Sequence, residues 1–230
     1  MREQVTVIAF DLDDTLWPCA PTLERAERTL YQWLDECYPR ITESLDPQQM
    51  AECRYRFSQR EPRYRVDLTA LRREFLQYLG ESYDYDGDQV SRDGFRVFFD
   101  ARQEVEFFDD VLPCLNRLRE QFQIGVISNG NASVEHVGLG QLVEHALSAA
   151  DLQLAKPDPR IFVALADRFC IPPQQLVYVG DHPEYDVVGA WNAGLQAVWL
   201  NREHRLWPAK LPQSGHEIKD LYELIALLGV

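Results

Sequence analysis

Short, unbroken apolar runs alternate with longer amphipathic stretches along most of this chain. "VTVIAF" (5–10), "FQIGVIS" (122–128), "LVYVG" (176–180) and "LQAVWL" (195–200) are rich in β-branched and aromatic residues. Continuous runs of this length, as opposed to alternating ones, are the pattern of strands buried on both faces of a parallel sheet. Around the later three lie stretches of helical periodicity: "DDVLPCLNRLREQF", "PDPRIFVALADRFC", "EYDVVGAWNAG" and "IKDLYELIALLG". The alternation predicts an α/β protein with a doubly wound, Rossmann-like parallel sheet.

The pattern changes between the first and second runs. From about residue 20 to 103 there is no strand-like run, and the periodicity is helical in "PTLERAERTLYQWLDECY", "DPQQMAECRYRFSQ", "VDLTALRREFLQYLG" and "DQVSRDGFRVFFDARQ". In the first of these, Leu23, Ala26, Leu30, Trp33 and Leu34 fall on one face. Residues 1–18 and 104–230 are therefore expected to form the α/β core, with 19–103 as an inserted helical domain. A chain of 230 residues is long enough for both.

In open α/β sheets ligands bind beyond the carboxyl ends of the strands, where strand order reverses. The first run is followed by Asp11-Leu12-Asp13-Asp14-Thr15-Leu16, the second ends in Ser128-Asn129-Gly130-Asn131, and the third leads into Gly180-Asp181-His182-Pro183-Glu184-Tyr185-Asp186. Lys156-Pro157-Asp158 precedes the helix beginning near Pro159. Side chains alternate along an extended chain, so Asp11 and Asp13 face one way while Leu12 and Asp14 do not. One carboxylate can act as nucleophile and the other as general acid and then base. Asp11 with the acidic loop at 181–186 offers hard oxygen ligands suited to Mg²⁺. Ser128 is a hydroxyl donor, the Asn129 and Gly130 amides can meet phosphate oxygens, and Lys156 supplies a fixed positive charge.

That local charge matters because the chain as a whole is acidic. The formal net charge is -14, which disfavours nucleic acid and anionic membrane surfaces as partners and leaves a small phosphorylated metabolite as the expected one. Five cysteines, at 19, 37, 53, 114 and 170, form no C-x-x-C pair, so neither a disulfide framework nor a zinc site is indicated. No stretch has the length of a membrane span and the N-terminus lacks signal-peptide character, so a cytoplasmic protein is expected.

"DLDDTL", "ISNGN", "AKPDP" and "GDHPEYDVVGAWNAG", in that order, resemble the four motifs of the haloacid dehalogenase superfamily in its phosphatase branch. The helical insert stands where that family carries its type-one cap. The resemblance implies that Asp11 is the nucleophile forming an aspartyl-phosphate, and that Asp13 protonates the leaving alkoxide and then activates water. It implies that Thr15 supports the loop and that Ser128 and Lys156 bind the phosphoryl group, with Lys156 also offsetting charge on Asp11. It further implies that Asp181 and Asp186 complete a Mg²⁺ site with Asp11 and the main-chain carbonyl of Asp13. Family members that displace halide do not need an acid two residues beyond the nucleophile, so Asp13 implies a phosphatase. The "SNGNA" stretch and the "GLG" at 138–140 are similar to bacterial phosphatases acting on flavin mononucleotide and ribityl-pyrimidine phosphates. Other sugar and nucleoside monophosphates stay open, as do a phosphomutase and a non-catalytic binding protein on the same scaffold.

Each of these features also has a plainer reading. "SNGN" is a good turn sequence, and Lys156 could merely precede a helix capped by Asp158. Asp186 can complement a helix dipole, and His182 reads as a loop histidine with solvent or backbone contacts. "DYDGD" (84–88) fails as a calcium loop, since Gln89 stands where Gly is needed and Phe95 where Glu is needed, so a turn between helices is expected. The Arg-rich "RYRFSQREPRYR" (54–65) reads either as a helix face laced by ion pairs or as a grip on an anionic or planar substrate.

Overall fold

The computed structural model describes residues 5–212 and 215–230; residues 1–4, the beginning of the expected 1–18 core segment, lie outside that range, as do 213–214. The chain divides into two compact units, one made of the segment up to Pro18 with Glu106–Val230, the other of Cys19–Val105.

In chain order the first unit opens with β1 (Val7–Phe10), every residue of which is buried. The second unit then supplies α1 (Cys19–Cys37), α2 (Pro39–Thr42), α3 (Pro47–Ser58), α4 (Leu68–Ser82) and α5 (Gly87–Gln103). Returning to the first unit, the chain forms α6 (Val111–Arg119), β2 (Gln123–Ser128), β3 (His145–Ser148), α7 (Ala149–Leu152), α8 (Pro159–Arg168) and β4 (Leu176–Gly180). It ends with α9 (Gly189–Asn192), β5 (Gln196–Leu200), β6 (Glu217–Ile218) and α10 (Leu221–Leu228).

The six strands form one parallel sheet in the order β3-β2-β1-β4-β5-β6. Strand order reverses at β1, whose Ala9 lies opposite Gly125 on one side and Tyr178 on the other. That is the switch point where such sheets bind ligands. The flanking helices bury residues at helical spacing: Val111, Cys114, Leu115 and Leu118 on α6, and Ile161, Phe162, Leu165 and Ala166 on α8. Asp158 caps α8 by accepting from the Arg160 amide at 3.0 Å. The core of this unit includes Val7, Ala9, Ile127, Phe162, Tyr178 and Trp199.

The stretch 184–194 reads as one helix from periodicity but forms a π-helical turn over Pro183–Val188 followed by α9. The cause is local: the His182 ring accepts the amides of Glu184 and Tyr185 at 3.2 and 3.1 Å, fixing the entry to the turn.

The helical unit has a core of its own, built on Ala26, Leu30, Leu34, Phe57, Phe75, Leu76, Val90 and Phe98. Leu23 and Trp33 pack against its margin instead of sharing the buried line of α1. Asp46 and Gln49 form a reciprocal capping box at the start of α3. Asp86 of "DYDGD" caps α5, accepting from the Gln89 amide at 3.1 Å. The Arg-rich stretch is occupied internally: Arg54 pairs with Glu27, Arg56 with Glu52, and Arg63 with Glu61 and Glu74. Arg60 lies over the rings of Phe57 and Tyr78. Among the described residues no helix is long and apolar enough to cross a membrane.

Candidate active site

β1 delivers Asp11 to the switch point, and its amide extends the pairing by donating to the Val179 carbonyl at 2.9 Å. The carboxylate is buried. Its Oδ1 accepts from Lys156 Nζ at 2.6 Å and its Oδ2 from the Thr15 hydroxyl at 3.4 Å. Lys156 Nζ also donates to Asp186 Oδ1 at 2.6 Å and to the Tyr178 hydroxyl at 3.0 Å, and that hydroxyl donates to the Ile127 carbonyl at 3.0 Å. All three bonds of the ammonium are thus used, a full complement for a buried lysine.

Asp11, Asp181 and Asp186 each offer an oxygen within 4.8 Å of the others. Two of them, Asp11 and Asp186, hold the Lys156 ammonium between them and Asp181 stands beside both, so three carboxylates share one buried ammonium and negative charge is in excess. Desolvation, with Asp186 and Asp181 nearby, pushes the Asp11 carboxyl up to about 8 despite the pull of Lys156. Desolvation and then Asp186 push Asp181 up to about 6, with Asp14 adding to the rise and Arg205 opposing it. Burial works against the charge of Lys156, yet Asp11 and Asp186 outweigh it and hold the ammonium well above its ordinary range. Hard oxygen donors crowded together and short of positive charge are the donor set a small divalent cation fits.

Thr15 joins two loops, because its hydroxyl donates to Asp11 and accepts the Asp181 amide at 3.1 Å. Asp13 is held separately: its Oδ1 accepts from Trp17 Nε1 at 2.9 Å, and its carboxylate is not one of the clustered three. Only its main-chain carbonyl is left for the metal role that the motif resemblance implies. Asp14 adopts φ 60 and, with Phe108, Asp181, Arg202 and Arg205, borders a cavity of about 270 Å³.

Ser128 ends β2 and is buried; its Oγ accepts the Gly130 amide at 2.9 Å. Asn129 does something sequence reasoning did not assign. Its side chain brackets the Lys156 main chain, accepting the Lys156 amide at 2.8 Å and donating to the Lys156 carbonyl at 3.0 Å. It therefore aims Lys156. His182 is a backbone cap, as its plain reading has it, and stacks on Tyr185 with centroids 4.2 Å apart.

Three groups escaped the sequence reading: Tyr178, Arg202 and Arg205. Arg202 grips Asp110 through two bonds of 3.0 Å and donates to the Thr15 carbonyl at 3.1 Å. Arg205 bonds Asp181. Tyr178 sat inside an apolar run, and the two arginines follow the last strong strand without any motif around them. The signal that could have found the arginines is position, since both stand just past a strand end.

The model of the haloacid dehalogenase-like hydrolase family matches residues 5–194. The 5-amino-6-(5-phospho-D-ribitylamino)uracil phosphatase YigB of Escherichia coli is 25% identical over 215 residues, 90% of each chain. A crystal structure of a 2-haloacid dehalogenase from Pseudomonas syringae is similar with a TM-score of 0.90 and 37% identity, covering 98% of each chain. The HAD-hydrolase YfnB of Bacillus subtilis, in a crystal structure bound to magnesium, shares the fold with a TM-score of 0.67 and 21% identity over 99% of this chain and 100% of that one.

Proposed function

The chain belongs to the haloacid dehalogenase-like hydrolase family and is a hydrolase, and from that premise we propose that it is a Mg²⁺-dependent phosphomonoester hydrolase acting through an aspartyl-phosphate on Asp11. The observation that carries this reading is the cluster of Asp11, Asp181 and Asp186, whose buried members Asp11 and Asp186 share the Lys156 ammonium. Displacing halide from a carbon brings no phosphoryl charge to the nucleophile, whereas a phosphomonoester brings up to two negative charges to a site already in excess of them. Positive charge beyond that of Lys156 is then required. Asp11, Asp181 and Asp186, with the Asp13 carbonyl, would hold Mg²⁺, which supplies that charge.

Asp11 attacks phosphorus, forming the carboxylate O–P bond as the bond to the leaving oxygen breaks. Asp13 gives its proton to that oxygen, which would otherwise depart as a poor alkoxide leaving group; a halide needs no such proton. Asp13 then takes a proton from water as the water attacks phosphorus, breaking the Asp11–phosphoryl bond and releasing inorganic phosphate. The Ser128 hydroxyl binds a transferring phosphoryl oxygen, while Lys156, its three protons already taken by Asp11, Asp186 and Tyr178, offsets charge at the nucleophile and is kept in place by Asn129. The likeness to the ribitylaminouracil phosphatase supports a small phosphorylated metabolite, with flavin mononucleotide or a ribityl-pyrimidine phosphate first among those to try. The partner is then neither nucleic acid nor a membrane surface, and a cytoplasmic setting suits such a substrate.

One observation favours a second reading. The similar structure with 37% identity is a 2-haloacid dehalogenase, so halide release is the competing reaction. Both are tested on one preparation: phosphate release from a broad panel of phosphomonoesters with Mg²⁺, and halide release from 2-haloacids without it. Phosphate release that is abolished by Asp11→Asn and lowered roughly 10²–10⁴-fold by Asp13→Asn is expected. Halide release with no phosphate release from any ester would replace this reading with the second.

A further inference from the structure

Asp181 is held at nearly every polar atom. Its amide donates to Thr15 Oγ1 at 3.1 Å, and its carbonyl accepts from Trp199 Nε1 at 2.8 Å and from Arg205 Nη2 at 3.0 Å. The same Arg205 nitrogen reaches the carboxylate at Oδ2, 2.8 Å away. Oδ1 is the atom without a protein donor among the described residues, in a carboxylate that offers an oxygen within 4.8 Å of Asp11 and Asp186.

Arg205 is itself delivered by a built element. Asn201, just past β5 and 1% exposed, accepts the Arg205 amide at 2.8 Å and donates to the Arg205 carbonyl at 2.9 Å. Asn201 in turn donates to Glu217 at 2.6 Å, and its amide donates to the Ile218 carbonyl at 2.7 Å. The loop after β5 is thereby anchored to the sheet edge at β6, and the guanidinium is carried to Asp181 from a fixed base.

We propose that Arg205 is a positioning residue for the divalent-cation site: it clamps the main-chain carbonyl and Oδ2 of Asp181 so that Oδ1 is kept for the cation. The inference rests on the Mg²⁺ reading above. Two effects of the guanidinium oppose each other. Its charge repels a cation, but its side chain is 42% exposed and solvent screens it, so removing it would tighten binding only a few-fold. Its hydrogen bonds orient a ligand, and losing such an outer partner typically weakens metal binding about 10–100-fold. Orientation therefore outweighs repulsion.

The test is calorimetric titration of the full-length protein with Mg²⁺ alone, comparing the parent with Arg205→Met and Arg205→Lys. Arg205→Met should weaken binding about 10–100-fold, while the melting temperature of the metal-free protein moves by no more than about 2–4 °C. Arg205→Lys keeps the charge but carries its donors as a compact ammonium on a flexible stem in place of a rigid planar group, and should recover only part of the loss. The Mg²⁺ concentration for half-maximal phosphate release should rise by the same factor, with kcat at saturating Mg²⁺ close to that of the parent. Unchanged or tighter Mg²⁺ binding in Arg205→Met overturns the proposal. If that variant does not fold, unchanged affinity in Arg205→Lys overturns it instead. A parent protein that binds no Mg²⁺ overturns the proposed function and the clamp with it, an outcome distinct from a parent that binds while its variants bind equally well.

Discussion

Gly180 has no side chain because the Asp186 carboxyl group occupies the place where one would be. A Cβ built there would lie 2.3 Å from Asp186 Cγ and 2.5 Å from its Oδ2, distances no relaxed side chain tolerates. The carboxylate is confined further by Lys156 on Oδ1 and by the His182 amide on Oδ2, 2.8 Å away. Gly180→Ala should therefore push Asp186 off its position, lowering stability by about 1–3 kcal/mol as overpacking does and weakening Mg²⁺ binding as well. Thermal melts with and without Mg²⁺ check this; an alanine variant that matches the parent in both would show that the carboxylate can shift at no cost. At this scale Asp11, Lys156, Asp181 and Asp186 are legible in the chain, because each follows a strand or precedes a helix in an open α/β sheet. Tyr178 is not, since its hydroxyl serves Lys156 from within the buried strand β4. Asn129 is legible as a polar residue at a strand end, but its partner, the main chain of Lys156, is 27 positions away and only the folded sheet brings the two together.

Among elements, the four strong apolar runs became β1, β2, β4 and β5, since a strand buried on both faces must be apolar throughout. The two strands that periodicity did not mark are the edges of the sheet. β3, "HALS", has one buried residue of four, and β6 has two residues, so neither carries a continuous apolar run. The helices of the second unit were legible from their faces, but the ion-pair wiring between them was not. Arg72, 10% exposed in its side chain and lying over the Phe98 ring, donates to both oxygens of Glu27 at 2.6 and 3.0 Å, and Arg54 joins them. This group fastens α1 to α3 and α4. Burial alone would raise the Glu27 carboxyl, but Arg72 and then Arg54 outweigh it and hold the group below its ordinary 4.5. Burial lowers Arg72, from so high a value that it stays charged at any working pH. A depressed carboxyl contributes stability above its unfolded value and loses that contribution as pH falls through the folded one. Glu27→Gln should cost about 1–3 kcal/mol near neutral pH, discounted from a fully buried pair because Glu27 is 34% exposed. That difference should shrink as pH drops below about 4.5, which denaturation midpoints measured from neutral to acid pH would reveal. A gap that stays constant across this range would mean that Glu27 charge is not what fastens these helices.

On the scale of the whole molecule, the two units carry separate apolar cores and are joined by two chain crossings, at 18/19 and 105/106. All three clustered carboxylates, together with Lys156, belong to the first unit. A cation that binds the folded first unit and not its opened forms stabilises it by mass action, by about 2.7 kcal/mol at a hundred times the dissociation constant. That corresponds to roughly a hundredfold fewer openings of the segments that must come apart to release it. β1 and β4 pair with each other and lead directly into Asp11 and Asp181, so the protection of their amides should rise by nearly that factor. α1, α4 and α5 open within a core that contains none of the ligands, so their amides should gain far less. Hydrogen exchange read segment by segment, with and without saturating Mg²⁺, separates the two cases. Equal protection in both units would mean that they unfold as one cooperative body. Protection confined to the strands around Asp11 and Asp181 would mean that cation binding reports on the α/β unit alone, and that the helical unit can vary in sequence without disturbing the site's hold on its metal.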